Sequence, residues 1–380
     1  MTASRSFQLS SIFAGYGVAG IFWGAYIASL PALKDISGLT DAGFGTLITA
    51  TTIGGIVAMQ ALGRVLHKVQ AVAIPGCLAA MGLCQLLFTV AGGPAMIGVT
   101  LLLIGAASGG LDISLNMRVA RLESDFGVRL FNRVHALFPF SMLVTSASVG
   151  LLREYGATPA MIFPVVSLAF LAAAAIERRA GRHQKAGEDH LTGDRQPWTG
   201  VLIVLGILAA MGAVMEGGAY SWSAIYIEDG LGVGPAMAGF GAAAITLGMT
   251  GGRLLAHRIE HRMRDMVIVR TFALAAVPAF LLLALAPHPY FALIGLFLAG
   301  VGAGPVEPAV FRSVTKRHDE ATRGRALARA TGLAYTGYLA SPPVFGRVID
   351  LAGWPAMWSA LAAVGVAVSL LTLRVPPARG

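Results

Sequence analysis

Charge is scarce in this sequence. Asp, Glu, Lys and Arg make up 12% of its 380 residues, where soluble globular chains carry about a quarter. Hydrophobic residues reach 56% and mean hydropathy is +0.72, which excludes an ordinary soluble domain. Cysteine is nearly absent. Cys77 and Cys84 stand in one apolar stretch, so neither a disulfide framework nor a zinc ligand set can be built from them. No Gly-rich loop with the phosphate-binding Lys is found, which removes the usual nucleoside-triphosphate site. His, Cys and Asp do not cluster at metal-ligand spacing, so no metal, cofactor or enzymatic activity is expected. Acids are outnumbered 19 to 28, for a formal charge of +9. The bases lie in short loops between apolar runs, and they read as membrane-orientation signals, not as a nucleic-acid surface.

What is present is a series of apolar runs of bilayer length, and the expected class is an all-α membrane protein. Twelve spans of about 20 residues each fall near 9–31, 42–63, 69–92, 95–117, 132–152 and 157–176, then 200–227, 235–256, 266–286, 289–312, 326–348 and 353–373. Loops after the even-numbered spans carry Arg64, Lys68, Arg118, Arg121, Arg129, Arg258, Arg262, Lys316 and Arg317, among others. The opposite side has little beyond Lys34, Arg153 and Arg347. The excess of positive charge on the cytoplasmic side places both termini there, in the inner (plasma) membrane. A cleaved signal peptide is not expected, because the N-terminus runs straight into a full-length span.

A polar stretch at 177–197, rich in Arg, His, Gly and Asp, divides the chain at its midpoint. It reads as a cytoplasmic linker, giving a six-helix bundle at 1–176, a linker at 177–199 and a second six-helix bundle at 200–380. An internal repeat supports the cut. Residues 103–125, LIGAASGGLDISLNMRVARLESD, recur 195 residues later as LAGVGAGPVEPAVFRSVTKRHDE. Gly105 falls on Gly300, Gly109 on Gly304, and Asp112 on Glu307. Ala42-Gly43-Phe44-Gly45 likewise matches Ala238-Gly239-Phe240-Gly241, and Gly63-Arg64 matches Gly252-Arg253. These offsets indicate a parallel duplication and two pseudo-symmetric halves.

The candidate functional residues are the polar ones inside the spans. A carboxylate at the centre of a membrane helix costs about 2.5–3.5 kcal/mol or more, so it is seldom there without a partner or a task. Asp112, with Asn116 four residues on and so on the same face, is the first candidate for carrying a proton; burial raises its proton affinity and exposure lowers it. The bland alternative is a hydrogen bond to Asn116. Glu307 lies between Pro305 and Pro308, which predicts a broken helix with backbone carbonyls facing a cavity. With Glu216 it is a further candidate for taking up a proton, or else an acid satisfied by freed backbone donors or a cytoplasmic Arg. Glu216 heads a stripe with Tyr220, Ser223 and Tyr226, with Trp222 to one side. An acid with aromatics suits a sugar ring or an organic cation, or simple packing. His135 and Asn132, at the start of span five, offer a proton relay to Asp112 or a hydrogen bond between spans. Tyr16, Trp23 and Tyr26 share a face of span one, and Tyr335 and Tyr338 lie in span eleven; each set either contacts substrate or packs. Arg64 and Arg253 are expected to cap cytoplasmic helix ends and to gate closure without touching substrate. Gly105-x-x-x-Gly109 and Gly300-x-x-x-Gly304 read as close-packing faces.

Two six-span halves, a basic central loop and Gly-Arg ends on spans two and eight resemble the major facilitator superfamily, and the resemblance covers the whole chain. The loop after span two reads Gly63-Arg64-Val65-Leu66-His67-Lys68, so His67 stands where the family usually has an acid. Asp112 with Asn116, and Asn132 and His135 entering span five, look most like the fucose-permease-like sugar transporter branch. The resemblance implies halves that rock around a central site, with Asp112 taking up the driving proton. The expected function is a secondary active transporter for a small polar metabolite such as a sugar, by proton symport. The alternative is a proton-coupled efflux antiporter for amphipathic or cationic compounds, and a transporter-like ligand sensor is a third reading. The expected partners are a small-molecule substrate, protons and the lipid bilayer, and the expected state is a monomer.

Overall fold

The computed structural model describes residues 5–128, 130–180 and 198–376. The side chains of residues 5, 67, 68, 70, 132, 180, 320 and 321 also lie outside what is described. The described residues form eleven α-helices and no strand. These are α1 (Arg5–Ser37), α2 (Asp41–Gln85), α3 (Pro94–Phe126), α4 (Phe131–Glu154), α5 (Pro159–Ala180), α6 (Gly200–Ile225), α7 (Pro235–Ile259), α8 (Asp265–Ala284), α9 (Pro289–Ala303), α10 (Val306–Lys316) and α11 (Glu320–Leu371).

Helix starts follow local chemistry. Pro94, Pro159, Pro235 and Pro289 open their helices, where a missing N–H costs nothing and the ring presets φ. The Thr199 hydroxyl accepts from the Leu202 N–H at 3.2 Å to cap α6. Asp319 caps α11, accepting from the Thr322 N–H at 3.0 Å and from the Thr322 hydroxyl. Those hydrogen bonds from Thr322, side chain first, hold the Asp319 carboxyl below the usual range.

Among the described residues ten segments are long and apolar enough to cross a bilayer, where the sequence led us to expect twelve. The difference lies in how helices run on. α2 has 45 residues and α11 has 52, the latter as two helices joined at Gly353; at about 1.5 Å per residue α2 alone runs about 68 Å, more than twice a hydrocarbon core of about 30 Å. The α2 region holds two of the ten segments, Asp41–Leu66 and Ala71–Thr89, whereas α11 falls within one, Thr322–Arg374. Gly353, with φ 77 and ψ 177, breaks α11 internally in a conformation that only glycine adopts readily. α7, interrupted by Arg253 and His257, is not among the ten.

The chain divides into two compact units. The first comprises Met1–Leu39 and Leu47–His190; the second comprises Thr40–Thr46 and Leu191–Gly380. In the first, α1 packs on α4, α5 and α3, with Phe22, Phe88, Phe163 and Phe170 fully buried. α2 and α3 meet through glycine. A Cβ at Gly105 would fall on the Thr51 backbone, and one at Gly109 on the Gly55 backbone. Gly105→Ala should therefore force the two helices apart and cost about 1–3 kcal/mol, read as a lower thermal-unfolding midpoint in detergent. Gly76→Ala, a helical position with open space around it, should leave the midpoint unchanged or raise it. At the end of α5, Glu177 pairs with Arg118 of α3 at 2.7 Å, the side chains 1% and 4% exposed. Glu177 thus belongs to the bundle and not to the linker.

In the second unit α6 packs on α11, α7 on α9, and α8 on both α9 and α11, while α10 lies against α6, α8 and α11. The first residues of α2 belong here: the Asp350 carboxylate accepts from the N–H groups of Asp41 and Ala42, both at 3.1 Å, and satisfies two donors that a helix start leaves open.

Candidate functional site

Each unit holds a cluster of polar residues around its candidate acids. In the first unit α3 sets Asp112 and Asn116 one turn apart, and Asn116 Nδ2 donates to Asp112 Oδ1 at 3.1 Å. Asn116 Oδ1 accepts from the Tyr16 hydroxyl of α1 at 2.8 Å and lies 3.1 Å from His135 Nε2 of α4. A carbonyl oxygen only accepts, which makes Nε2 the donor. The Tyr16 and His135 rings meet edge to face at 5.0 Å. His135 therefore reaches Asp112 through Asn116 and not directly. Tyr16 is 4% exposed, but Asp112 and His135 are both exposed. Asp112 is packed among the helices of its unit, with Asn116 on one side and solvent reaching it on another.

The aromatic stripe of α1 divides. Only Tyr16 joins the cluster; Tyr26 is buried, and the Trp23 ring packs edge-on against Phe22 and Tyr26 at 5.4 and 5.6 Å. Asn132 lies in the first turn of α4, and its side chain is outside what is described. Arg64 is exposed, and α2 continues past it to Gln85, so no helix end is present for it to cap.

The cluster of the second unit draws on five elements. Arg253 of α7 donates through Nη2 to both carboxylate oxygens of Glu216 on α6, at 2.8 and 2.9 Å. Its Nε donates to the Gly304 carbonyl, at the break between α9 and α10, at 3.1 Å. That carbonyl is available for a simple reason: the residue four positions on is Pro308, which has no N–H to give it. Glu307 of α10 accepts through Oε2 from the Tyr338 hydroxyl of α11 at 2.8 Å. Gly217 makes room for that tyrosine, since a Cβ there would meet its ring at 2.9 Å. Glu216 is 15% exposed and Arg253 is 46% exposed, so the pair is open on the arginine side. Arg253 lies within α7, which ends at Ile259; its partner is an acid and not a helix terminus.

The stripe below Glu216 also divides. Tyr220 is half-buried, whereas Trp222, Ser223 and Tyr226 are buried. Trp222 packs against Trp354 at 6.0 Å, and the Tyr226 hydroxyl donates to the Leu283 carbonyl at 2.7 Å. Tyr335 is half-buried, its ring 6.4 Å from that of Tyr338. Among the described residues no group of His, Cys, Asp and Glu is arranged to hold a metal ion. Sequence reasoning named both Glu216 and Arg253 but did not pair them, and it missed the Gly304 carbonyl. The Gly304-x-x-x-Pro308 spacing was the available signal.

An all-helical chain of membrane-spanning segments, with polar clusters at helix breaks and between helices, has the form of a membrane carrier. The sequence profile of the Major Facilitator Superfamily matches residues 12–311 and 205–380, and the chain belongs to that superfamily. It is 28% identical over 370 residues to an uncharacterized MFS-type transporter of Yersinia pestis, covering 94% of this chain and 91% of that one. It is 22% identical over 374 residues to the membrane protein MosC of Rhizobium meliloti, with 96% and 89% covered. Among solved structures, a mutant of the nucleoside transporter NupG superposes with a TM-score of 0.81 at 12% identity, with 97% of this chain and 100% of that one covered. A bacterial homolog of the human lysosomal transporter Spinster gives 0.73 at 14% identity, with 98% and 96% covered. At these identities the structures show the fold. The chain is a multi-pass membrane transporter with a small-molecule substrate, and not an enzyme. None of these relatives singles out the fucose-permease-like branch.

Proposed function

We propose that this protein is a proton-coupled secondary active transporter that carries a small polar metabolite, such as a sugar, by symport. The observation that carries this reading is the clasp of Arg253 on Glu216. It neutralises one of the two acids of the second unit and leaves Glu307 with a tyrosine hydroxyl and no cation in hydrogen-bond contact. A carboxylate held that way can exchange a proton with its surroundings, and the exposed Asp112 of the first unit has similar freedom. The same clasp removes Glu216 as a seat for a cationic compound, because its carboxylate is already paired. The architecture that accompanies this reading has twelve spans in two six-helix halves, the first ending with α5 and the second opening at Gly200, joined by a linker. α2 and α11 then supply two spans each, α9 and α10 together one, and each remaining helix one. Alternating access by these halves, a monomeric state, an inner-membrane location and cytoplasmic termini complete it, the last from the Lys and Arg distribution. The fucose-permease-like assignment rests on Asp112, Asn116, Asn132 and His135 alone.

The test is uptake into proteoliposomes under an imposed inward proton gradient, with radiolabelled sugars, nucleosides and sugar acids alongside the cationic dye ethidium. Accumulation of a polar compound above equilibrium, abolished by a protonophore, is the expected result. Ethidium extrusion without accumulation of any polar compound would overturn the reading.

A further inference from the structure

The second unit's cluster has hydrogen-bonding groups that no other described residue engages. A guanidinium has five N–H donors. Arg253 commits Nε to Gly304 and Nη2 to Glu216, while Nη1 has no hydrogen-bond partner among the described residues on a side chain 46% exposed. Glu307 commits Oε2 to Tyr338, and its Oε1 has no such partner among the described residues. The groups that act on Glu307 are Glu216 from α6, Arg253 from α7 and Tyr338 from α11. No charged group from α8, which also packs on α10, is among them. With both acids ionised the cluster carries a formal charge of −1; with one proton on Glu307 it is neutral.

We infer that the cargo is a small organic carboxylate, seated on Nη1 of Arg253 together with a proton on Glu307. This rests on the proton-coupled transport reading above and names its substrate class. An arginine that served only to hold helices together would have its donors satisfied inward, since an open guanidinium nitrogen in a membrane span is costly. Guanidinium N–H groups are matched by carboxylate oxygens, and such charge-assisted hydrogen bonds are about twice as strong as neutral ones. The proton enters through electrostatics. An arriving carboxylate meets a repelling net charge when Glu307 is ionised and none when it is protonated. The protonated acid can also donate Oε1–H to the cargo's second oxygen. The anion and the Glu307 proton therefore bind together and leave together.

The experiment is binding calorimetry on the purified full-length protein in detergent, from about pH 5.5 to 8.5, a range across which a carboxylate set among apolar helices can change charge. The probes are lactate, gluconate and benzoate, each beside a neutral counterpart: lactamide, glucose and benzamide. At least one carboxylate should bind about tenfold or more tightly than its counterpart and weaken toward tenfold per pH unit as Glu307 ionises. Glu307→Gln, which fixes the neutral form, should bind the same carboxylate with a flat pH profile. Arg253→Lys should bind it more weakly than wild type. The inference is overturned if neutral counterparts bind as well, if the wild-type profile is flat, or if no carboxylate binds. A neutral compound that binds with proton uptake would remove this inference and leave proton-coupled transport standing. A carboxylate that binds as described, yet is never accumulated under a proton gradient, would support the seat and sink the coupled-transport reading.

Discussion

Replacing Arg253 by Gln should cut transport about 100-fold, and replacing Glu216 by Gln in the same chain should restore stability but not transport. Arg253 is the cation of its cluster, and it binds Glu216 and the Gly304 carbonyl at once. Removing one partner of a buried ion pair costs about 3–5 kcal/mol, because the remaining charge is left unpaired. The Arg253 side chain is 46% exposed, so solvent screening lowers that figure to about 2–3 kcal/mol. At about 1.4 kcal/mol per tenfold, that loss is about 100-fold in the folding equilibrium; the transport loss has a separate source, the charge-assisted contact to cargo, worth about 1.5–3 kcal/mol or up to about 100-fold. The second substitution removes the stranded carboxylate and with it most of the folding penalty, leaving no guanidinium for cargo. Thermal-unfolding midpoints in detergent read the first effect, and proteoliposome uptake reads the second. A purely structural salt bridge would give the opposite pattern, with the double variant regaining both.

Asp112→Asn should weaken the coupling of transport to protons while leaving carrier function in place. The amide keeps the size of the side chain, and its oxygen can still accept from Asn116 Nδ2, as Oδ1 of the acid does at 3.1 Å. The contacts of Tyr16 and His135 to Asn116 do not involve residue 112 and should survive. What is lost is the ability to take up a proton. Under a gradient of about one pH unit, each coupled proton raises the accumulation of cargo about tenfold. Concentrative uptake by the variant should fall about tenfold, by the share that a proton on Asp112 adds to the one on Glu307, while exchange of labelled for unlabelled cargo continues. If both uptake and exchange are lost, Asp112 is part of cargo binding or of the fold. If both persist, it carries no driving proton and Glu307 is left as the acid that does.

The acids were legible because few carboxylates occur in apolar runs; Asp112, Glu216 and Glu307 were found by that rarity alone. Asn116 followed from helical spacing. The break at Pro305 and Pro308 was also visible, since a missing N–H is a property of the residue itself. Pairings between distant helices were not visible. Glu216 and Arg253 are 37 residues apart, and the arginine was read with the loop charges that orient the chain. Tyr16 looked equivalent to Trp23 and Tyr26 because helical periodicity gives a face and not what that face meets; only the packing of α1 on α3 and α4 separates them. Glu177 looked like the start of the linker because its partner, Arg118, is 59 positions upstream by subtraction of their numbers. Helix length misled in another way. Local sequence gives no stop at Arg64 in α2, and α11 is broken by one glycine dihedral that composition does not disclose.

The most direct test of proton coupling is the pH change when a bound cargo is added to purified protein in weakly buffered detergent, with wild type, Asp112→Asn and Glu307→Gln measured side by side. Proton coupling by symport predicts that wild type takes up a proton on binding and that at least one of the two variants does not. A ligand that binds wild type with no change in pH would contradict it, and the acids in the spans would then be structural.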